Sequence, residues 1–222
     1  MQSANVNSMS SLRKWTLVCG MAIPAAVIYV VINGWNSSPE RAIYFSTRPL
    51  DVVPWAYQPW TSIPYSIGGI LSVLAPFAGS RSRSDVTRAV CGFGLLLGMS
   101  FLVYAFLPVT MERPDYSEQA VGSVVMRWIV AIDAPANCLP SLHTGFAVAC
   151  AALVSRYRWP RFMIALFWVN AVVVMITTIT TGQHYVVDLV AGVVAAFVAL
   201  RITDWRLTPS RSRGDAAADL PV

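Results

Sequence analysis

Apolar residues along this chain come in long blocks separated by short polar stretches. Neither the two-residue alternation of a half-buried strand nor a fixed-period repeat is visible. Six blocks approach the roughly 20 residues that a helix needs to cross the hydrocarbon layer: 15–33, 61–79, 87–109, 142–157, 160–181 and 184–202. Block 142–157 is the shortest and opens on Leu142-His143-Thr144, which puts its start near an interface. Block 61–79 carries Pro64, Gly68, Gly69 and Pro76, tolerable in a membrane helix where neighbours satisfy the freed backbone groups. Trp15, Trp35, Trp55, Trp60, Trp159 and Trp205 fall at or near the block ends, as interfacial aromatic belts require. The pattern predicts an all-α, polytopic membrane helical bundle of six spans over 15–202. A cytoplasmic segment, 1–14, precedes it and a cytoplasmic tail, 203–222, follows, reading as disordered from Pro209. The first block could instead be a cleaved signal peptide, since Arg13 and Lys14 precede it. Its apolar core is longer than a usual signal segment, however, and no clean small-x-small site follows.

Composition agrees with the pattern. Of the 222 residues, 56% are hydrophobic and 12% charged, against about 25% charged in average globular chains. A water-soluble domain, a disordered body and a disulfide scaffold are all excluded; four cysteines are too sparse for the last. Cys19, Cys91 and Cys150 lie in apolar blocks, where a thiol packs as a small hydrophobe, and Cys138 has no obvious partner. The net charge of +5 does not point to nucleic acid, because Lys14 is the one lysine and the arginines sit between apolar blocks. Their distribution sets an orientation. Arg13, Lys14, Arg81, Arg83, Arg88, Arg156, Arg158, Arg161, Arg201, Arg206, Arg211 and Arg213 share one side, against Arg41, Arg48, Arg113 and Arg127 on the other. The positive-inside rule then makes both termini cytoplasmic and turns the 34–60, 110–141 and 181–184 connections outward.

The chain's two histidines, His143 and His184, both fall at predicted helix starts on that outer side. Asp188 follows His184 by four residues, so the two share a helical face. A carboxylate among Val186, Val187, Leu189 and Val190 is costly without a partner. Bonded to one ring nitrogen, it would make the other a better nucleophile or base; alternatively Asp188 pairs structurally with another helix. His143 follows Pro140-Ser141-Leu142, where serine suits an N-cap. The unpaired N–H groups of a first turn suit an oxyanion, and a histidine there could protonate a leaving oxygen. The plain alternative is a capped helix whose histidine touches headgroups. Arg113, before Pro114, is either an interfacial anchor or a phosphate clamp. Val121, Val124, Val125, Trp128, Ile129 and Ile132 give the outer loop a helical apolar face, fit either to lie in the interface or to pack on the bundle.

Arg113-Pro114, Pro140-Ser141-Leu142-His143 and His184-x-x-x-Asp188 together resemble the three signatures of the type 2 phosphatidic acid phosphatase superfamily. Three positions depart from that pattern. Phe106 stands where the family has lysine, Leu142 where it has glycine, and Thr177-Thr178 where it has Ser-Arg. Pro-Ser-Leu-His, the Thr-rich run before Gln183-His184-Tyr185 and the Asp133-x-x-x-Asn137 run resemble the branch of inositol phosphorylceramide synthases and related bacterial proteins.

The resemblance implies a helical bundle in a bacterial plasma membrane with its site on the outer face. It also implies a phosphoester- or pyrophosphate-cleaving lipid phosphatase or phosphotransferase. In that scheme His184 attacks phosphorus, Asp188 holds its ring, His143 serves the leaving and entering oxygens, and Arg113 and Ser141 bind the phosphoryl group. Arg127 and Gln183 are candidates to assist in place of the missing cations. No metal or other cofactor is expected; the substrate is a lipid phosphate in the membrane, and oligomeric state is open. Water or an alcohol could be the acceptor. Two readings of another class are a haem protein with His143 and His184 as axial ligands, and a transporter component that uses Asp188 as a proton carrier.

Overall fold

The structure is a computed structural model and describes residues 9–44, 57–157 and 159–207. Seven helices make up nearly all of it: α1 (Ser11–Asn36), α2 (Ser62–Gly79), α3 (Arg83–Phe106), α4 (Val121–Ile132), α5 (Leu142–Val154), α6 (Arg161–Thr180) and α7 (Val186–Leu207). The expected all-α membrane bundle is the fold. Two short strands, β1 (Ile43–Tyr44) and β2 (Val109–Thr110), pair in parallel, Ile43 opposite Val109. Arg48, Trp55, Arg158, Arg211, Arg213 and the tail from Pro209 lie outside the described residues, as do positions 1–8.

Helix ends follow local chemistry more than hydropathy. Ser10 caps α1 through the Arg13 amide, so that helix starts before its apolar block. Ser82 and Asp85 form a reciprocal capping box that starts α3 at Arg83, four residues ahead of the apolar run. Among the described residues, five helices are long and apolar enough to cross a membrane: α1, α2 with the 3-10 turn before it, α3, α6 and α7. The sixth expected span is the exception. Block 142–157 yields α5, only 13 residues long, which rises about 20 Å against a hydrocarbon core of about 30 Å.

Rather than facing lipid, α5 is the centre of the bundle, packed on α2, α3, α6 and α7. Ala147, Ala149, Cys150 and Ala151 are buried along it, small enough to let neighbouring backbones approach. The outward faces of the surrounding helices stay apolar and exposed, as at Ile23, Val27 and Val31 of α1 and Val190, Val194 and Phe197 of α7. Trp15, Trp35, Trp60 and Trp205 are exposed near helix ends as expected. Trp159 instead packs inward against Phe167 and onto Gly79, where a Cβ would stand 2.2 Å from its ring.

Charges tie one end of the bundle together. Arg88 of α3 and Arg156 in the α5–α6 turn both bind Asp204 near the end of α7, Arg156 through both terminal nitrogens at 2.5 and 2.6 Å. The opposite end carries β1, β2, α4 and the connection from α4 to α5.

Helix α4 resolves the ambiguity of its apolar stripe. Val121, Val124, Trp128 and Ile132 point away from the protein, while Gly122, Ser123 and Met126 face inward. Gly122 lies directly on the 3-10 turn: an added Cβ would stand 1.6 Å from the Pro59 carbonyl oxygen. Gly122→Ala is therefore expected to lower the thermal midpoint of the detergent-purified protein, overpacking costing about 1–3 kcal/mol. Gly20→Ala, with nothing within 4 Å of its Cβ, is the control that should not lower it.

Candidate active site

The second signature folds as a capped helix start. Ser141 is the N-cap of α5, its hydroxyl accepting the Thr144 amide at 3.4 Å. Its own N–H donates to the Asp188 carbonyl at 3.0 Å, joining the start of α5 to the start of α7. Gly192 makes this approach possible, since a Cβ there would lie 2.5 Å from the Ser141 carbonyl oxygen. The preceding connection is fastened from both sides. Asn33 of α1 donates to the Ala134 and Ala136 carbonyls and accepts the Ala134 amide, and Asn36 donates to the Asn137 side chain at 2.8 Å. Asn137 takes a left-handed φ of 66°, which asparagine tolerates. The Tyr104 hydroxyl donates to the Pro140 carbonyl at 2.7 Å. Cys138 is buried in this connection, and burial pushes its thiol pKa up.

The third signature sits in the turn before α7 and its first helical turn. Asp188 is fully buried and His184 nearly so. One Asp188 oxygen accepts the Tyr185 amide at 2.9 Å and stands 3.4 Å from His184 Nδ1. That is longer than the roughly 2.7–2.9 Å of a charge-assisted hydrogen bond. Neither His184 Nδ1 nor the second Asp188 oxygen has a hydrogen-bond partner among the described residues. The two side chains that the spacing puts on one face thus stand in contact at 3.4 Å without a hydrogen bond between them.

The first signature reaches the same place from the other side. Pro114 packs against Gly182, whose φ is +68° and whose Cβ, if present, would stand 2.3 Å from the proline ring. The Arg113 guanidinium donates to the Asp133 carboxylate at 3.2 Å, to the Asp133 carbonyl and to the Ala134 carbonyl at 3.4 Å. Gln183 donates to the Tyr116 hydroxyl at 2.9 Å, and that hydroxyl donates to the Thr181 carbonyl at 2.8 Å. Burial pushes the Tyr116 phenol up to about 12, against the opposing influence of Arg113 and the Gln183 hydrogen bond.

These pieces converge on a cavity of about 640 Å³ lined by His143, His184, Arg113, Asp133, Gln183 and Tyr65. It continues between α2 and α5 as an apolar wall of Ile70, Val73, Leu74 and Phe146. The two imidazoles face each other across it, ring centroids 6.1 Å apart. Tyr65 of α2 places its hydroxyl 2.9 Å from His143 Nε2. Ser141 and Asp188 stand behind the lining, one capping α5 and the other behind His184.

Arg127 is not brought to the cavity. One nitrogen of its guanidinium donates to the Tyr116 and Glu118 carbonyls, at 2.6 and 3.1 Å. The departures from the family pattern are visible too: Phe106 is 83% exposed, and Thr177 and Thr178 bond back to carbonyls of their own helix. Among the described residues that line the cavity, Arg113 is the one lysine or arginine. No group of three or more His, Cys, Asp or Glu able to hold a metal ion is found among the described residues.

Tyr65, Tyr116 and Asp133, which complete the site, were not assigned to it from sequence. Tyr65 and Tyr116 carry no spacing signal at all, and Asp133 stood out only as part of the Asp133-x-x-x-Asn137 run.

The family model of the PAP2 superfamily matches residues 42–202, and the chain belongs to that superfamily. No curated protein matches the chain.

Proposed function

We propose that this PAP2 superfamily member is a lipid phosphatase or phosphotransferase working through a phosphohistidine. The observation that carries the reading is the pair of histidines facing one cavity, one of them backed by a fully buried carboxylate. With Nδ1 protonated toward Asp188, His184 presents a free Nε2 lone pair. That lone pair attacks phosphorus; the P–N bond forms as the P–O bond to the departing group breaks. His143 gives that oxygen its proton. In the second step water or an alcohol passes a proton to His143 and attacks phosphorus, the P–N bond breaks, and both histidines return to their starting states. Arg113 and the first-turn amides of α5 stabilise the negative charge on the phosphoryl oxygens. Ser141 contributes by fixing that turn, and Tyr65 by holding the His143 ring.

The apolar wall between α2 and α5 suits a hydrocarbon tail, and the outward stripe of α4, continuous with the cavity through Ile129 and Ile132, suits the membrane interface. With the arginine-rich end in the cytoplasm, the cavity opens at the outer face of a plasma membrane, and all six apolar segments belong to the membrane domain.

The test of the activity is release or transfer of phosphate from a panel of isoprenoid and glycerolipid phosphates, with and without alcohol acceptors. No turnover of any of them by folded protein counts against it. The orientation has its own test. Glu118 lies exposed in the connection before α4. Glu118→Cys in a background without the four native cysteines is expected to react with an impermeant thiol reagent on intact cells. Labelling only after lysis would place the site on the cytoplasmic side.

A further inference from the structure

The cavity's cation is already occupied by a carboxylate of the same cavity, and this bears on which phosphoryl groups it accepts. Asp133 places one oxygen 3.2 Å from the Arg113 guanidinium and accepts the Tyr29 hydroxyl of α1 on the other at 2.7 Å. Both Asp133 and Arg113 are largely buried, with side chains 21% and 12% exposed. The carboxylate cannot swing away with its loop, because the next residue, Ala134, is tied to Asn33 through both its amide and its carbonyl. Asp188 adds a second carboxylate behind His184. A phosphoryl group seated on Arg113 thus lies close to Asp133 with no second arginine or lysine among the described lining residues to offset it.

We propose that Asp133 is a charge-selectivity residue, which makes this site favour phosphoryl groups carrying one negative charge over those carrying two. The proposal rests on the phosphoryl-site reading above. A singly charged group replaces part of what Asp133 supplies to Arg113. The second charge of a doubly charged group gains from Arg113 but is repelled by Asp133, a repulsion that at about 5–6 Å and an effective dielectric near 20 is worth at least about tenfold in affinity. Tyr29 tunes the effect, since its hydroxyl draws carboxylate charge away from Arg113.

The experiment uses the full chain in detergent with two small anions at about pH 8: inorganic phosphate, mostly doubly charged there, and dimethyl phosphate, singly charged. Affinities are read from the ligand dependence of the thermal midpoint. Asp133→Asn is expected to tighten phosphate by about tenfold or more and dimethyl phosphate by clearly less. Tyr29→Phe is expected to act in the opposite direction, weakening phosphate by about twofold to threefold as Asp133 turns wholly to Arg113. A ratio between the two anions that is the same in wild type and Asp133→Asn overturns the proposal. So does parallel weakening of both anions in both variants, which marks Asp133 as a loop latch. If wild type and variants alike bind neither anion, the phosphoryl-site reading itself falls, and this proposal with it.

Discussion

Replacing His184 with alanine is expected to reduce lipid-phosphate turnover to background, a loss of at least about 10⁴-fold. The size follows from what is left at the site. His143 is 6.1 Å away between ring centroids, and its Nε2 is turned to the Tyr65 hydroxyl at 2.9 Å. The Tyr116 phenol is pushed up to about 12 by burial, so it is protonated at neutral pH. The Cys138 thiol is likewise pushed up by burial and is buried in the connection before α5. None of these can stand in as nucleophile. His143→Ala should behave differently, because a general acid contributes roughly 10²–10⁴-fold and matters least when the leaving group needs no proton. On an aryl phosphate the His143 variant should therefore recover much of its activity while the His184 variant recovers none. Initial rates at matched protein levels and matched thermal midpoints decide the matter. Wild-type-like turnover in His184→Ala removes the covalent scheme, and equal loss on both substrates in His143→Ala removes its role as acid.

The two histidines were legible in the sequence because they are the only two and both lie where apolar blocks begin. The helices were legible because lipid-facing helices need apolar residues on their outer faces as well as inside, which produces blocks too long to mistake. Length alone says little about α5. The block from 142 to 157 closes on Ser155-Arg156 just after the helix end at Val154, but its apolar pattern does not reveal that small residues make it the buried centre. The stripe on α4 announced a helix but not its direction. Periodicity defines a face without saying what lies opposite, and here the inward face is the less apolar Gly122, Ser123 and Met126. Arg127 shows the same limit for charge. Its position in an outer loop suggested help at the site, yet it does not line the cavity and one of its nitrogens is bonded to two nearby carbonyls. The hydroxyls that position the site come from remote helices, Tyr65 reaching His143 across 78 residues and Tyr29 reaching Asp133 across 104. Pairings of that range leave no spacing in the chain and become visible only when the helices are packed.

Asp188→Asn is expected to cost roughly 10²–10⁴-fold in turnover while leaving the fold intact. The carboxylate has no exposure, and its partners within reach are the Tyr185 amide at 2.9 Å and His184 Nδ1 at 3.4 Å. Asparagine can keep the first contact with its carbonyl oxygen. That same oxygen still faces Nδ1, while the amide group takes the place of the second, unpaired oxygen. The variant thus loses the negative charge that balances the imidazolium of the phosphohistidine. The comparable change in a serine-protease triad costs about 10⁴-fold. A smaller loss is expected here because part of the developing charge sits on phosphoryl oxygens held by Arg113. Stability should move little or rise, since a buried charge without a full set of hydrogen bonds is replaced by a neutral group. That separates this outcome from simple unfolding. Asp188→Glu should not rescue, because one extra methylene has no room at a fully buried site. The double variant His184→Ala, Asp188→Asn should be no slower than His184→Ala alone, as groups acting as one unit do not add. A folded Asp188→Asn protein with near-normal turnover would instead make Asp188 a helix cap for Tyr185 and leave His184 to act unassisted.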